Sequence, residues 1–454
     1  MKNAPYLLRL EICGIKNIEK PVVLSFYKKT IENDFNPADY RVKAIFGENG
    51  SGKTALIQAV KILRSILLDE NYLYDSETQR FLVETVNKNT KVGYIECEFI
   101  ITGDSSHICN YHVDFAVKDD RRFYIYHERY MTKNGKYSKN KYNTIFETKQ
   151  GELVAYGTGD SIDSFKRATQ NLLGQRSFLT FAFNESLVDV RSVGREFSYF
   201  SLIYLLLFAL SVNVYLDEED NHINYFIKKR IEEIDTDDLS SEKISYIKQA
   251  SEQILSSYFD TRIVPKDSFS GFQKRVGNMS SFLKIFKPDL EGIEIEKKET
   301  PDYYKCELIL VYENYRIDQE LESKGIKKLI KLFNYLNAAS NGMIVFVDEL
   351  DSSINDIYLD KLIEFFMYYA EGQLCFTSHN LSPMNILNDN KCSISFISGI
   401  NTIHTWTRNG NESPERAYRN GFIADSPFNV DATDFIGILG GTNEATDSNM
   451  RGNQ

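Results

Sequence analysis

The chain has 454 residues, 42% of them hydrophobic and 26% charged, with only nine prolines, a balance that excludes a disordered chain, a collagen or a coiled-coil fibre. Its 64 acidic against 53 basic residues give a formal charge of −11, so no global basic field draws it to nucleic acid or anionic lipid, and any such contact has to be a local patch. Six cysteines (Cys13, Cys97, Cys109, Cys306, Cys375, Cys392) form no CxxC pair and no Cys/His ligand spacing, which signals neither a disulfide framework nor a zinc site and points to a reducing cytoplasm.

The first 50 residues read as strands, LLRLEI, VVLSF and VKAIF, the last ending at Gly47. Arg9, Glu11 and Lys16 interrupt the first apolar stretch, so no export signal is expected. From Thr54, Leu56, Ala59, Val60, Leu63, Ile66 and Leu67 recur at helical spacing. Residues 92–130 return to strand character. Between Lys118 and Tyr142, eight Lys/Arg residues face three acidic ones, a net +5 interleaved with six aromatics. Two readings stand for this stretch: an exposed hairpin turning at KNGK, which is favoured, or a surface that follows a nucleic-acid backbone.

The middle, from about 160 to 290, reads as mainly helical. Tyr199 to Leu216 runs 18 residues without a charge, and Ser201, Ser211 and Asn213 within it favour a buried helix running into the strand VNVYL over a membrane span. Acidic residues 217–220 follow as a solubilising surface. Strands resume at IEIEKK, CELILVYE and MIVFVDEL, then come a helix from about Tyr358, the strands QLCFTSHN and SISFIS, and a polar tail after Leu439. Alternating strand and helix at both ends predict an α/β fold whose mixed sheet is assembled from the two extremities. The expected division is a head N-terminal lobe over 1–185, an inserted helical lobe over 186–290, a head C-terminal lobe over 291–439 and a disordered tail over 440–454.

Gly47-Glu48-Asn49-Gly50-Ser51-Gly52-Lys53-Thr54 fits GxxxxGK[ST] at every fixed position and lies between a strand and a helix. The glycines let backbone N–H groups of Gly47, Asn49, Gly50, Ser51 and Gly52 turn toward phosphates. Lys53 reaches the β/γ oxygens, and the Thr54 hydroxyl ligates Mg²⁺. Met343 to Val347 supplies a buried strand ending in Asp348 and Glu349. Asp348 is expected to hold Mg²⁺ through water, and Glu349 to polarise the attacking water as general base. ATP and Mg²⁺ are therefore the expected cofactors.

Two further segments, ESKGIKKL around Ser323 and FTSHN around His379, narrow the class, and here the chain resembles the ABC-class ATPases. The resemblance implies that Ser323-x-Gly325 is their signature motif, Asp351-Ser352-Ser353 the D-loop, and His379 the switch histidine that senses the γ-phosphate. A serine hydroxyl, a glycine N–H and a helix N-terminus make a second anion site. Because Gly47 to Thr54 already fills the first, this one is available to the nucleotide of a second subunit, as in head-to-tail ABC dimers. Taken separately, Ser323 also reads as a simple helix cap.

The segments LRLEICGIKNI, GENGSGKT, ESKGIKKLI and VDELDSSI resemble the branch containing RecF, SMC and the OLD-like ATPases. Within it they are most similar to standalone phage-defence ATPases such as the PtuA family of Septu and the AriA family of PARIS. The similarity covers residues 5–65 and 283–425. The branch usually follows the D-loop serine with Leu-His-Pro, whereas Ile354-Asn355-Asp356 stands here. Gln175 and Glu128 both remain open for the glutamine-loop role.

Only 75 residues follow His379, too few for a TOPRIM nuclease, and the six histidines (His107, His112, His127, His222, His379, His404) show no HNH-like spacing. The expectation is a cytoplasmic, Mg-dependent ATPase that assembles with itself and regulates a separately encoded effector, by resemblance a nuclease, in antiviral defence. The alternative is a RecF-like DNA-repair ATPase that clamps DNA in its ATP-bound dimer through residues 118–142, and a third reading is a nucleotide-binding scaffold that barely hydrolyses.

Overall fold

Where apolar residues alternate with polar ones the chain forms a half-solvated antiparallel sheet, and where they run together it forms a sheet covered on both faces. The computed structural model describes residues 4–28, 31, 35–102, 106–135, 141–157, 166–167, 169–170, 172–184, 198–216, 263–352, 354–390, 392–407, 412–423 and 426. The N-terminal part contains β1 (Pro5–Cys13), β2 (Val22–Ser25), β3 (Val42–Phe46), α1 (Lys53–Leu68), α2 (Ser76–Thr85), β4 (Val92–Ile101), β5 (His107–Val117), β6 (Phe123–Asn134), β7 (Asn143–Lys149), β8 (Glu152–Tyr156) and α3 (Phe178–Asn184). The middle supplies α4 (Ser198–Ser211), β9 (Val212–Tyr215), β10 (Ile263–Pro265), α5 (Phe269–Phe286), β11 (Leu290–Glu299), β12 (Tyr303–Tyr312) and β13 (Tyr315–Asp318). The last part supplies α6 (Lys324–Ser340), β14 (Ile344–Val347), α7 (Asp356–Tyr368), β15 (Gln373–Thr377), α8 (Pro383–Leu387), β16 (Ile394–Ile397), β17 (Ile403–Thr405) and α9 (Pro414–Arg419).

A seven-stranded antiparallel sheet runs in the order β2-β1-β4-β5-β6-β7-β8, and a smaller sheet joins β10, β12, β11 and β13. The third sheet has the order β17-β16-β3-β15-β14-β9, with β16, β3, β15, β14 and β9 mutually parallel. It is the mixed sheet expected, with β3 from the N-terminal part and β14 to β17 from the C-terminal part, but its edge strand β9 comes from within residues 186–290, the stretch expected as an inserted helical lobe. Its strands β3, β14, β15 and β16 are buried throughout. One face, with Ile45, Phe346 and Cys375, packs on α1 and α4; the other, with Val42, Ala44, Val345 and Phe376, packs on α6 and α7.

The uncharged run from Tyr199 folds as expected, with α4 leading directly into β9, which pairs with β14. Phe208 on α4 stacks on Phe99 of β4 at 4.1 Å, so the helix fills the space between the two large sheets. Among the described residues no helix is long and apolar enough to cross a membrane. The expected boundary at 186 and the acidic residues 217–220 lie outside the described residues, as do Ser353 and the tail after 439.

β6 and β7 pair as a hairpin, Thr132 opposite Asn143, but Lys133 and Asn134 of the expected KNGK turn continue β6 and pair with Ile108 and His107 of β5. Lys136, Tyr137 and Lys139 lie outside the described residues. Two of its aromatics, Phe123 and Tyr130, are buried, and the ammonium groups of Lys118 and Lys133 sit 4.4 Å from the rings of Tyr124 and Tyr142.

Glu128 on β6 turns inward and is fully buried. Its Oε1 accepts from the hydroxyls of Tyr111 (2.8 Å) and Ser177 (2.6 Å), and its Oε2 from the N–H of Phe178 (2.8 Å), tying β5 and β6 to the start of α3. Burial pushes its carboxyl pKa up, only partly opposed by these donors. The stability this residue contributes is therefore complete below the ordinary glutamate value of about 4.3 and is lost as pH rises through the raised one. Glu128→Gln keeps the shape and removes the ionisation, so the wild type's stability advantage over the variant should shrink with rising pH in that window. Denaturant unfolding of both proteins across it measures the difference; a pH-independent difference would contradict the assignment.

Candidate functional site

β3, β15 and β14 lie side by side and parallel, so their carboxyl ends line one sheet edge, the place where open α/β sheets gather their ligands. The glycine-rich loop leaves β3, Asp348 and Glu349 leave β14, and Ser378 and His379 leave β15. These three segments are far apart in sequence and come together only through this strand order.

In the loop, Gly50 and Gly52 hold φ of +80° and +108°, the left-handed region that glycine enters without a Cβ penalty. A Cβ on Gly47 would lie 2.4 Å from the carbonyl oxygen of Ile397 on β16. Gly52 caps α1 and brings no side chain to the helix's first N–H groups, which leaves them to an anion. Asn17, between β1 and β2, donates its side-chain amide to the carbonyl of Gly50 and braces the loop from outside. Lys53 donates to the carbonyls of Gly47 (2.7 Å) and Glu48 (3.0 Å). Burial pushes its ammonium pKa down, opposed by Asp348, Glu349, Asp351 and Glu48 in that order. A cavity of about 420 Å³ opens here, lined by Gly47, Glu48 and Asn49 on one side and by Ser378, His379 and Tyr418 on the other.

On the acidic side, the Thr377 hydroxyl donates to Asp348 Oδ1 (2.6 Å) and accepts from the N–H of Glu349 (2.8 Å). Glu349 has φ +49°, a conformation that costs a non-glycine residue roughly 1–2 kcal/mol. It is held there by Thr377, by the Lys328 ammonium of α6 on its carbonyl (3.1 Å), and by the N–H of Leu350 on the Thr377 carbonyl (3.1 Å). The result aims a half-exposed Glu349 carboxylate 3.9 Å from His379 Nε2. Asp351 Oδ2 accepts from the N–H groups of His379 (3.2 Å) and Asn380 (3.0 Å). The residues that follow have local work: Asn355 caps α7 through the N–H of Ile357, and Asp356 accepts from Asn380 Nδ2 at 2.6 Å.

These residues fit a magnesium–nucleotide pair. The Ser51 hydroxyl is buried inside the loop without a hydrogen-bond partner, the glycine cradle leaves no Cβ over the phosphate position, and the Thr54 hydroxyl and Asp348 carboxylate are the hard oxygen donors that Mg²⁺ prefers. Ser323, by contrast, is exposed and caps α6 by accepting from the N–H of Ile326 (3.4 Å). The cavity lining includes neither Ser323 and Gly325 nor Lys53, Thr54, Asp348 and Glu349.

Of the two glutamine-loop candidates, Glu128 is spent in the core. Gln175 is exposed next to Arg176, which pairs with Glu70 at 3.7 Å, just beyond the far end of α1. With 16 residues, α1 is about 24 Å long, so Gln175 stands at the opposite end from the phosphates. Asn17, Thr377 and Tyr418 belong to the site without having been singled out in the sequence. Thr377 directly precedes Ser378 at a strand end, a signal that could have been used; Tyr418, on α9, carried none.

A family model described as AAA domain, putative AbiEii toxin, Type IV TA system matches residues 43–384. No curated protein matches the chain. Among solved structures, the recombination mediator protein RecF of the RecFOR pathway is loosely similar. Its structure titled RecF-ATPrS gives 12% identity and a TM-score of 0.38 over 89% of this chain and 99% of that one. The structure titled RecF-ATP gives 13% and 0.38 over 89% and 100%.

The two loop glycines should separate steric from conformational cost. Gly47→Ala must move backbone against Ile397 and is expected to weaken nucleotide binding at least tenfold, by an overlap that the loop cannot relieve without losing its shape (about 1.4 kcal/mol or more). Gly50→Ala meets nothing within 4 Å and should cost less. Fluorescent-nucleotide titration of both variants checks the order; the reverse order would show that the loop is not held against β16.

Proposed function

We propose that this chain, which belongs to the AAA-domain family described as putative AbiEii toxin of type IV TA systems and has a P-loop ATPase fold, hydrolyses ATP at sites shared head-to-tail between two copies of itself. The observation that carries the reading is the convergence of Lys53, Asp348, Glu349 and His379 on one sheet edge, with the Glu349 carboxylate 3.9 Å from His379, while Ser323 stands exposed at the start of α6. One subunit then holds the phosphates and the acid pair, and the serine end of the other closes the site.

Lys53 exchanges its bonds to the Gly47 and Glu48 carbonyls for phosphate oxygens, and the free N–H groups of α1 bind the same charge. Thr54 and Asp348 would hold Mg²⁺, which when bound would neutralise charge that develops on the transferred phosphoryl group. Thr377 fixes Asp348 and the Glu349 backbone in one orientation. Glu349, aimed outward by its left-handed backbone, takes the proton of the attacking water. His379, within 3.9 Å of it, reads the terminal phosphate, and Asp351 anchors the His379 backbone. On the resemblance of its motifs to standalone phage-defence ATPases, the nucleotide state controls a separately encoded nuclease in the cytoplasm of a bacterium defending itself against phage.

Shared sites make a specific complementation. Lys53→Ala should lose nucleotide binding, and Ser323→Arg should bind nucleotide and fail to hydrolyse it. Mixed in equal amounts, the two variants form heterodimers with one intact composite site, so phosphate release should recover to about a quarter of wild type if subunits pair at random and one site works alone. A mixture as inactive as its parts would refute the shared site. Glu349→Gln should slow turnover by about 100-fold or more while ATP-bound dimers accumulate in size-exclusion chromatography; unchanged hydrolysis would remove Glu349 from the base role.

A further inference from the structure

The histidines show no ligand spacing along the sequence, yet the antiparallel meander gathers two of them. His112 and Asp114 lie two apart on β5 and so share a face, and the β5–β6 register sets His127 directly opposite Asp114. His112 Nε2 and His127 Nδ1 both approach Asp114 Oδ2, at 3.0 and 2.9 Å. The other nitrogen of each ring is held by a carboxylate: His112 Nδ1 by Glu96 Oε2 of β4 at 3.0 Å, and His127 Nε2 by Glu147 Oε1 of β7 at 3.0 Å. Arg9 and Lys149 close the row at its two ends, bonding Glu96 and Glu147.

A carboxylate can only accept, so in the neutral imidazoles Glu96 and Glu147 fix the N–H on the outer nitrogens. The inner nitrogens then turn lone pairs toward the Asp114 oxygen, and three acceptors converge within 4.8 Å of one another. Such a cluster needs positive charge at its centre. Two extra protons, one per ring, would supply it, and so would a single cation. Carboxylates on the far nitrogens of metal-binding histidines are the usual outer arrangement that fixes ring orientation and tautomer. With side chains 14%, 32% and 15% exposed, the three ligands leave an open position toward solvent.

We propose that His112, Asp114 and His127 form a binding site for a divalent transition-metal ion of the zinc class, clasping β5 to β6 on the outer face of the antiparallel sheet. Two imidazoles and one carboxylate match tetrahedral zinc with water as fourth ligand, and the imidazoles select against Mg²⁺ and Ca²⁺. The site is separate from Asp348 and Thr54 and does not depend on the proposed ATPase activity.

Untagged full-length protein, stripped with chelator and free of nucleotide and Mg²⁺, is titrated calorimetrically with Zn²⁺ alone. One tight equivalent per chain is expected, retained in Asp348→Asn and abolished in His112→Ala and His127→Ala. Co²⁺ at the same site should give the visible absorption of tetrahedral cobalt. Asp114→Asn preserves size and hydrogen bonding and serves where a histidine variant does not fold; with unchanged circular dichroism it should lose the cobalt band. Glu147→Gln should weaken binding about 10–100-fold. The proposal falls if wild type takes up no zinc, if folded Asp114→Asn keeps the tight equivalent, or if Asp348→Asn alone removes it.

Discussion

The relative register of β3, β15 and β14 is the constraint on which the site depends. Val347 stands opposite Phe376, and Thr377 opposite Ile45. Thr377 is thus level with Asp348, and its hydroxyl reaches both Asp348 and the Glu349 N–H. A slip of one residue would turn Thr377 to the other face and break both bonds at once. Burial on two faces makes any slip costly, because each strand would exchange the side chains it presents to α1 and α4 for those it presents to α6 and α7.

Register also needs a fixed starting point, which the turn before β15 provides. Gly372 packs its backbone so closely that a Cβ would lie 2.2 Å from the carbonyl oxygen of Met343, at the start of β14. Its N–H bonds Ala339, and the next N–H bonds Met343. Gln373 then clamps the backbone of Leu7 on β1 with both ends of its amide, accepting at 2.7 Å and donating at 3.0 Å. One buried side chain thereby fixes β15 along its own sheet and to the antiparallel sheet as well. The geometry of the site is set about five residues upstream of the residues that form it.

This explains what could be read from sequence. Gly47 to Thr54 and the run ending at Asp348-Glu349 are contiguous, and each carries its own local logic of loop, helix start or buried strand. The sheet from both chain ends followed from alternation, and α4 with β9 followed from an uncharged run of helical length ending in β-branched residues. Asn17 and Thr377 act through partners 33 and 29 residues away, Tyr418 through partners hundreds of residues away, and of the three only Thr377 carries a local mark, its place at a strand end before Ser378. The histidines make the same point more sharply: spacing along the chain predicts nothing for 112 and 127, while a cross-strand register makes them neighbours. Ser323 shows the opposite limit, since a helix cap and an anion site require the same residue at the same place, and sequence cannot separate roles that one geometry satisfies together.

Glu349 sits where these constraints meet. Its left-handed backbone is gripped from β15 through Thr377 and from α6 through Lys328, whose ammonium holds the Glu349 carbonyl. Lys328 follows Ser323 by five residues, about 7.5 Å along the helix axis. A shift of α6 imposed at its exposed N-terminus therefore reaches the strained backbone of the acidic pair through one rigid helix segment and one hydrogen bond. The segment after the acidic pair is tied in on the opposite side, where Asp351 holds the backbone of His379 and Asn380, and Asp356 holds the Asn380 side chain. Asn355 and Asp356 depart from the usual Leu-His-Pro, yet they cap α7 and fasten it to the histidine loop. Both surfaces that flank the acidic pair are thus mechanically linked to it by short, directional bonds, and strain at Glu349 makes its orientation sensitive to either.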